Sequence, residues 1–522
     1  MLYQMFQMSQ AAFGPSRAAA DAFRVLLGNP LNPMSHTAVG RNTMAACEIF
    51  ERTTRRYDRP TFGLAETVVG GEPVAVTETV VWKRPFCELV HFERAVTSAV
   101  RDESPRILIV APMSGHYATL LRGTVEAFLP THEVYITNWQ NAREVPKSAG
   151  SFDLDDYIDT ISDIFRHFGG DVHVFAVCQP SVPVLAAVAL MEAANDPNVP
   201  LSVTMAGGPI DTRRNPTAVN RLAMEKGTEW FRNNVLANVP WPHQGHGRSV
   251  YPGFLQLTGF MTMNLDRHVK AHKDLFRHLV QGDGDSAERH REFYDEYLAV
   301  MDLTAEFYMQ TIETVFVEHH LARGVMTHRN RAVDLTAIKR VALMTIEGEK
   351  DDITGIGQCS AALELCSSVP ADNKQHYECP RVGHYGVFNG SRFRKDIVPR
   401  ISQFQARFDG RMIAHADIRS MLPVSDHNAA DNSAFFGEEL QPANDAAPDT
   451  IAEKARRHGV EAIGVPTPGA FSGNLMSAWF GASAMPFRAW SLASRAVLDT
   501  WSRPAFAPAV ASHINLTAKQ EA

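Results

Sequence analysis

Residues 172–182 read VHVFAVCQPSV: an uncharged, largely apolar run that breaks at Cys178 and continues at once into a segment of helical character. A short apolar run of this kind marks a strand buried on both faces. The next segment, from Gln179 through the apolar run Val182–Ala194, reads as a buried helix. Pro180 falls in its first turn, where the missing N–H costs nothing. A strand feeding directly into a helix leaves Cys178 on a sharp corner above the sheet edge. There the free N–H groups and the macrodipole of the helix favour a thiolate. A thiolate attacks an ester carbonyl without first losing a proton. The competing reading is a buried cysteine that packs as a small hydrophobe.

Further buried strands flank this one at Arg106–Ala111 (RILIVA), Glu133–Thr137 and Leu201–Met205, the last ending at Gly207-Gly208-Pro209. Asp155–Phe168 has helical periodicity. Strands alternating with helices predict a mostly parallel sheet covered on both faces. Residues 73–93 alternate apolar and polar side chains around Pro85 and read as an antiparallel pair. From about Arg213 to Val333 the pattern is helical and aromatic, with Tyr294, Tyr297, Phe307 and Tyr308, and predicts an all-helical insertion. Strands return at Val341–Ile346 and His376–Cys379, with a helix over Ser391–Phe408 after them.

A sheet interrupted by a helical insert is the layout of an α/β-hydrolase with a cap, and this is the expected fold class. The expected division is 1–100, a helical and β-hairpin region packed on the core; 101–212, the first half of the core; 213–333, the cap; 334–410, the second half; and 411–522, a C-terminal extension. Within that extension, residues 422–450 are rich in Asn, Asp, Ala and Pro and read as a disordered linker. Trp479, Trp490 and Trp501 stand 11 residues apart, close to three helical turns and so on one face of an amphipathic segment.

Composition narrows the function. Of 522 residues, 45 % are hydrophobic and 21 % charged, and the net charge is −8. An acidic chain offers no electrostatic footprint for nucleic acid. The six cysteines show no CxxC spacing, which argues against a zinc site or a redox motif, and their scatter fits a reducing compartment. The N-terminal residues lack the features of a signal peptide, and no run of about 18 apolar residues exists. A cytoplasmic location is expected, with no cofactor and no metal.

Two further segments complete a catalytic set. MTIEGEKDD (344–352) places a carboxylate three residues after Gly348; Asp351 is the first choice for the acid and Asp352 the second. VGHYGVFNG (382–390) places His384 in a glycine-rich loop 33 residues after Asp351. Alone, the first segment is better read as a helix cap or a solvated loop pair, and a single histidine among 21 means little. Together, nucleophile, acid and histidine occur along the chain in the order found in α/β-hydrolases. Backbone donors for an oxyanion are expected from Gln179 and from Met113 or Ser114 in the loop PMSGH (112–116). His116 in that loop reads as a polar loop residue rather than a base.

The stretches NPLNPMSHT (29–37), VAPMSGHYATLLRGTVE (110–126), VYITNWQNAREVP (134–146), VCQPSVPVLAAVALM (177–191), GGPIDTRRNPTAVN (207–220), FYDEYLAVMDL (293–303), MTIEGEKDDITGIGQ (344–358) and GHYGVFNG (383–390) resemble the intracellular polyhydroxyalkanoate depolymerases of bacteria. The resemblance covers most of residues 1–408. It implies hydrolysis of ester bonds in amorphous poly(3-hydroxybutyrate), with Cys178, Asp351 and His384 as the triad. It also implies a polyester substrate and association with the granule surface, and leaves room for a homo-oligomer. Asn138 stands where the family pattern leads one to expect Asp, and residues after 410 lie outside the resemblance. Alternatives on the same residues are a polyhydroxyalkanoate synthase, a thiolytic acyltransferase with coenzyme A as acceptor, or a non-catalytic granule-surface protein docked through its tryptophan-bearing tail. Pro180, where the synthase elbow carries Gly, speaks against the synthase.

Overall fold

The computed structural model describes residues 2–263 and 265–410. The expectations for the linker and for Trp479, Trp490 and Trp501 therefore lie outside the described residues.

The chain opens with three helices, α1 (Leu2–Ala12), α2 (Gly14–Gly28) and α3 (Ala38–Thr54). Pro15 stands in the first turn of α2, and the Thr37 side chain accepts the N–H of Gly40 to cap α3. Three strands come next: β1 (Glu66–Val69), β2 (Glu72–Arg84) and β3 (Cys87–Arg94). They are not a separate layer, because they form one edge of the main sheet. The remaining strands of that sheet's first half are β4 (Arg106–Val110), β5 (Glu133–Trp139), β6 (His173–Val177) and β7 (Ser202–Ala206). Between them lie α4 (Ser98–Glu103), α5 (Arg122–Phe128), α6 (Leu154–His167) and α7 (Ser181–Ala193).

The insertion holds α8 (Ala218–Asn234), α9 (Gly253–Met263), α10 (Leu265–Gln281), α11 (Gly284–Tyr297) and α12 (Ala305–Thr311). It is not all-helical. β8 (Ala237–Asn238), β9 (Ser249–Tyr251) and β10 (Leu303–Thr304) form a three-stranded sheet, and β11 (Thr327–His328) pairs with β12 (Arg331–Ala332). The reason is local. Val250, Leu303 and Thr304 are buried, and buried backbone groups outside a helix must find partners on a neighbouring segment.

The chain then returns to the main sheet through β13 (Ala342–Gly348) and β14 (Lys374–Cys379). The strand order is β1-β2-β3-β5-β4-β6-β7-β13-β14. From β5 to β14 every neighbouring pair is parallel, and β3 joins β5 antiparallel. This order, with an antiparallel edge and a reversal at β4 and β5, is that of an α/β-hydrolase. Every residue of β4 after Arg106, and every residue of β6, β7 and β13, is buried. Helices cover both faces, so these strands are apolar without alternation.

A buried charge cluster ties the antiparallel edge to the parallel centre. Arg94 donates to Glu133 at 2.7 Å, and His91 lies 2.8 Å from the same carboxylate. Burial alone would raise the pKa of Glu133, but the hydrogen bonds from His91 and Arg94 outweigh it and hold the carboxyl below its ordinary value.

Candidate active site

The carboxyl ends of β4, β6, β13 and β14 meet at one edge of the sheet, and the residues singled out from the sequence gather there. Open parallel sheets place their ligands at this edge.

Cys178 is the corner between β6 and α7. Its φ is +65°, a left-handed conformation that costs a non-glycine residue on the order of 1 kcal/mol. The corner is held on both sides: the N–H of Cys178 donates to the carbonyl of Ala206 at 2.8 Å, and its carbonyl accepts from Ser181 at 3.1 Å. The helix itself begins at Ser181, with Pro180 as its N-cap. The cysteines divide cleanly. Cys47, Cys87, Cys359, Cys366 and Cys379 are buried, and Cys178 is the partly exposed one. Burial pushes the Cys366 thiol up to about 12 and raises the other four as well. Those five are packing residues.

His384 opens a short helical turn, His384–Val387, after β14. Its Nδ1 lies 2.8 Å from Asp351 Oδ2, and both side chains are buried. The other carboxylate oxygen accepts the N–H groups of Ile353 (2.9 Å) and Thr354 (2.8 Å). Both oxygens of Asp351 are thus engaged, while its neighbour Asp352 is exposed. Cys178 lies close enough to the imidazole to bear on its charge. Burial works against a charged ring. The Asp351 carboxylate and Cys178 outweigh it, and the pKa of His384 lies well above its ordinary value. Nδ1 on a carboxylate and the rest of the ring toward a thiol is the arrangement that takes a proton from sulfur and returns it to a leaving group.

The loop after β4 reaches the residue after the cysteine. The N–H of Met113 donates a long bond, 3.4 Å, to Gln179 Oε1, and Ser114 is the next residue, half-buried. Gly115, at φ +100°, brings this loop against the insertion. A side chain there would meet Gln256 Cγ of α9 at 2.8 Å. The carbonyl of Gly115 accepts from Met301 at 2.8 Å. His116 is buried, its Nε2 3.1 Å from the carbonyl of Tyr297. Burial lowers its pKa to about 4, so it is a neutral clamp between loop and insertion. Asn138 is buried near the end of β5.

Three contributors to this geometry were not singled out from the sequence. A Cβ on Gly207 would stand 3.1 Å from His384 Cε1 and 3.4 Å from Asp351 Oδ2, so this glycine leaves room for the His–Asp pair. Its place in Gly207-Gly208-Pro209 at a strand end was the available signal. Glu347, buried on β13, accepts the N–H groups of Gly357 (3.0 Å), Cys359 (2.8 Å) and Ser360 (2.9 Å). It folds the loop that carries Asp351 back onto its strand, and a glutamate ending an apolar strand was the only hint. Tyr385 packs on the main core and also on the cluster Met261, Phe293, Tyr294 and Tyr297 of the insertion. It therefore joins the histidine loop to the cap.

Among the described residues no group of His, Cys, Asp and Glu side chains is arranged to hold a metal ion. No helix among them is long and apolar enough to cross a membrane.

Known proteins share parts of this chain. Residues 207–409 match the family described as PHB de-polymerase C-terminus, a segment that contains Asp351 and His384 but not Cys178. The chain is 23 % identical over 379 residues to the poly(3-hydroxyalkanoate) polymerase subunit PhaC of Haloferax mediterranei, covering 69 % of each chain. Among solved structures it is similar to a putative lipase of Acinetobacter baumannii (12 % identity, TM-score 0.32, 64 % of this chain and 93 % of that one). It is also similar to the α/β-hydrolase GrgF of a Penicillium species (14 % identity, TM-score 0.36, 65 % and 99 %). The strand order and the parallel register make the chain an α/β-hydrolase fold, with the partly exposed cysteine and the histidine–aspartate pair at its carboxyl edge.

Proposed function

We propose that the protein is a polyhydroxyalkanoate depolymerase that cleaves ester bonds through a cysteine acyl-enzyme. The observation that carries this reading is the meeting of Cys178, His384 and Asp351 at one sheet edge, within a chain whose residues 207–409 match the PHB de-polymerase C-terminus family. Cys178 Sγ attacks the ester carbonyl carbon, and its proton passes to His384. The N–H groups of Gln179 and of Met113 or Ser114 receive the oxyanion. His384 then protonates the departing alkoxide, leaving a thioester on Cys178. A water molecule gives a proton to His384 and attacks the thioester. The carboxylic acid leaves, and the thiol recovers its proton. Asp351 holds the ring in orientation and stabilises its cationic form.

A second reading is supported by the similarity to the Haloferax polymerase subunit. In it the same acyl-enzyme passes its acyl group to the hydroxyl of a growing chain. Pro180, two residues after the cysteine, favours hydrolysis. Coenzyme A as acceptor would give a third outcome on the same residues. Location in the cytoplasm at the granule surface belongs to this proposal, as does the role of the insertion, residues 213–333, as a lid over the site.

The deciding experiment offers amorphous poly(3-hydroxybutyrate) granules to the wild type and to Cys178→Ala, with and without coenzyme A. The proposal expects 3-hydroxybutyrate or its oligomers in plain buffer from the wild type and none from the variant. Release only with coenzyme A would make the protein a thiolytic transferase. Polymer growth from 3-hydroxybutyryl-coenzyme A, with no release, would make it a synthase.

A further inference from the structure

The connection between α2 and α3, a helical hairpin at the N-terminal end of the described chain, exposes an apolar surface at its tip that the candidate site does not use. Phe23, Val25 and Leu26 at the end of α2, Leu31 and Met34 in the connecting loop, and Val39 at the start of α3 are all exposed. Leu31 is 88 % accessible, Val25 77 % and Val39 64 %. Singly scattered apolar residues on a surface are ordinary; here six stand exposed between residues 23 and 39.

Two properties of this surface specify the contact. First, no Asp, Glu, Lys or Arg occurs from residue 25 to residue 40, in a chain that is 21 % charged. The charges at its edges are already engaged: Arg24 pairs with Asp21 at 3.2 Å and Arg41 donates to the carbonyl of His36 at 2.8 Å. Second, the polar groups of the loop are turned inward on one another. Asn29 Oδ1 accepts from the N–H of Leu31 (2.9 Å), and Asn32 Oδ1 from the N–H of Met34 (3.0 Å). Asn32 Nδ2 donates to the carbonyl of Leu26 (3.0 Å), Ser35 Oγ to that of Asn32 (2.6 Å) and Thr37 Oγ1 to that of Met34 (2.7 Å). His36 Nε2 lies 3.0 Å from the carbonyl of Pro30. A loop with its hydrogen bonds closed in this way can leave water for a medium that offers no donors, without stranding its own groups.

The hairpin is also fastened to the insertion. α3 packs on α10, Arg52 and Arg55 both meet Asp295 at 2.6 Å, and Glu48 meets Arg291 at 2.7 Å. The insertion in turn touches Tyr385 beside His384.

We propose that this tip is the surface by which the protein docks on the polyester itself, an uncharged apolar phase whose ester oxygens accept hydrogen bonds but donate none. The assignment rests on the depolymerase reading for its choice of phase.

The test uses the full chain and the triple variant Val25→Asp, Leu31→Asp, Val39→Asp, whose side chains are the most exposed of the group. Co-sedimentation with amorphous poly(3-hydroxybutyrate) granules and hydrolysis of the soluble 3-hydroxybutyrate trimer are measured side by side. The variant is expected to lose granule affinity by roughly tenfold or more and to cleave the trimer at the wild-type rate. Unchanged granule binding overturns the proposal, as does a shift from dimer to monomer with granule binding retained, which would assign the tip to a second copy of the chain. Equal binding of the wild type to neutral phosphatidylcholine vesicles overturns the choice of polyester. Failure of the wild type to cleave the trimer sinks the depolymerase reading, while the binding comparison still decides the docking surface.

Discussion

Between Val172 and Leu190 the chain carries no Asp, Glu, Lys or Arg, and β6 and α7 are buried almost throughout. The insertion is built otherwise. Its helices α10 and α11 carry many charges, α11 reaches the N-terminal helices through ion pairs to Asp295 and Arg291, and the two bury His268 and His290, with half-buried His272, around Tyr294. The first region is held by area removed from water, a contribution that does not titrate. The second is held by polar groups whose protonation matters. The first region carries Cys178, and the second touches Tyr385 beside His384.

Changes at the proposed triad should have the largest effects. Cys178→Ala should lower ester cleavage by about 10⁴-fold or more. Its unfolding free energy should stay within about 1 kcal/mol of wild type, since a surface-edge sulfur is lost and no core volume. Asp351→Asn should lower kcat by roughly 10³- to 10⁴-fold, because the amide no longer holds the ring in the required tautomer. In the same assay Asp352→Asn should stay within about threefold of wild type, as its carboxylate is exposed and sets no ring orientation. A large loss at Asp352 and a small one at Asp351 would reverse the assignment of the acid.

Gly207→Ala should affect both properties at once. The methyl group would crowd His384 at 3.1 Å, on a backbone at φ +60°. A loss of about 1–2 kcal/mol in unfolding free energy is expected, with a roughly 10- to 100-fold lower kcat from the displaced ring. Normal kinetics in this variant would show that the site tolerates a shift of the histidine.

The smallest effects separate the two regions by sign. His268 and His290 are lowered to about 3 and about 2, by burial first and then by neighbouring charges. In the unfolded chain they gain protons below the ordinary value of 6.5. Stability of the insertion should therefore fall as pH drops through that value, on the order of 1 kcal/mol per pH unit for each histidine. His384 is raised, so its contribution is present below 6.5 and is lost as pH rises through its folded value. Hydrogen exchange at pH 5 and pH 7 should show residues 265–297 opening at the lower pH and residues 172–193 unchanged. Equal acid sensitivity in both segments would remove the distinction.

Much of the fold was legible. Apolar runs located the parallel strands because burial on both faces leaves little room for polar residues. The insertion was misjudged as all-helical because β8, β9 and β10 are two or three residues long, too short for any periodicity. Gly207 and Glu347 were passed over because their roles are defined by atoms distant in the chain: a ring that needs space, and three N–H groups that need an acceptor.

The sequence by itself determined the strand-to-helix corner at Cys178, the order of cysteine, carboxylate and histidine along the chain, and the alternation that builds a parallel sheet. These come from local periodicity and from residues adjacent in the chain. Only the tertiary structure decided that Asp351 rather than Asp352 faces His384 and that the Met113 N–H reaches Gln179. It likewise decided that five of the cysteines are packing residues and one is accessible. Each of these depends on which atoms meet when separate strands share one sheet edge, and a one-dimensional pattern does not encode that proximity.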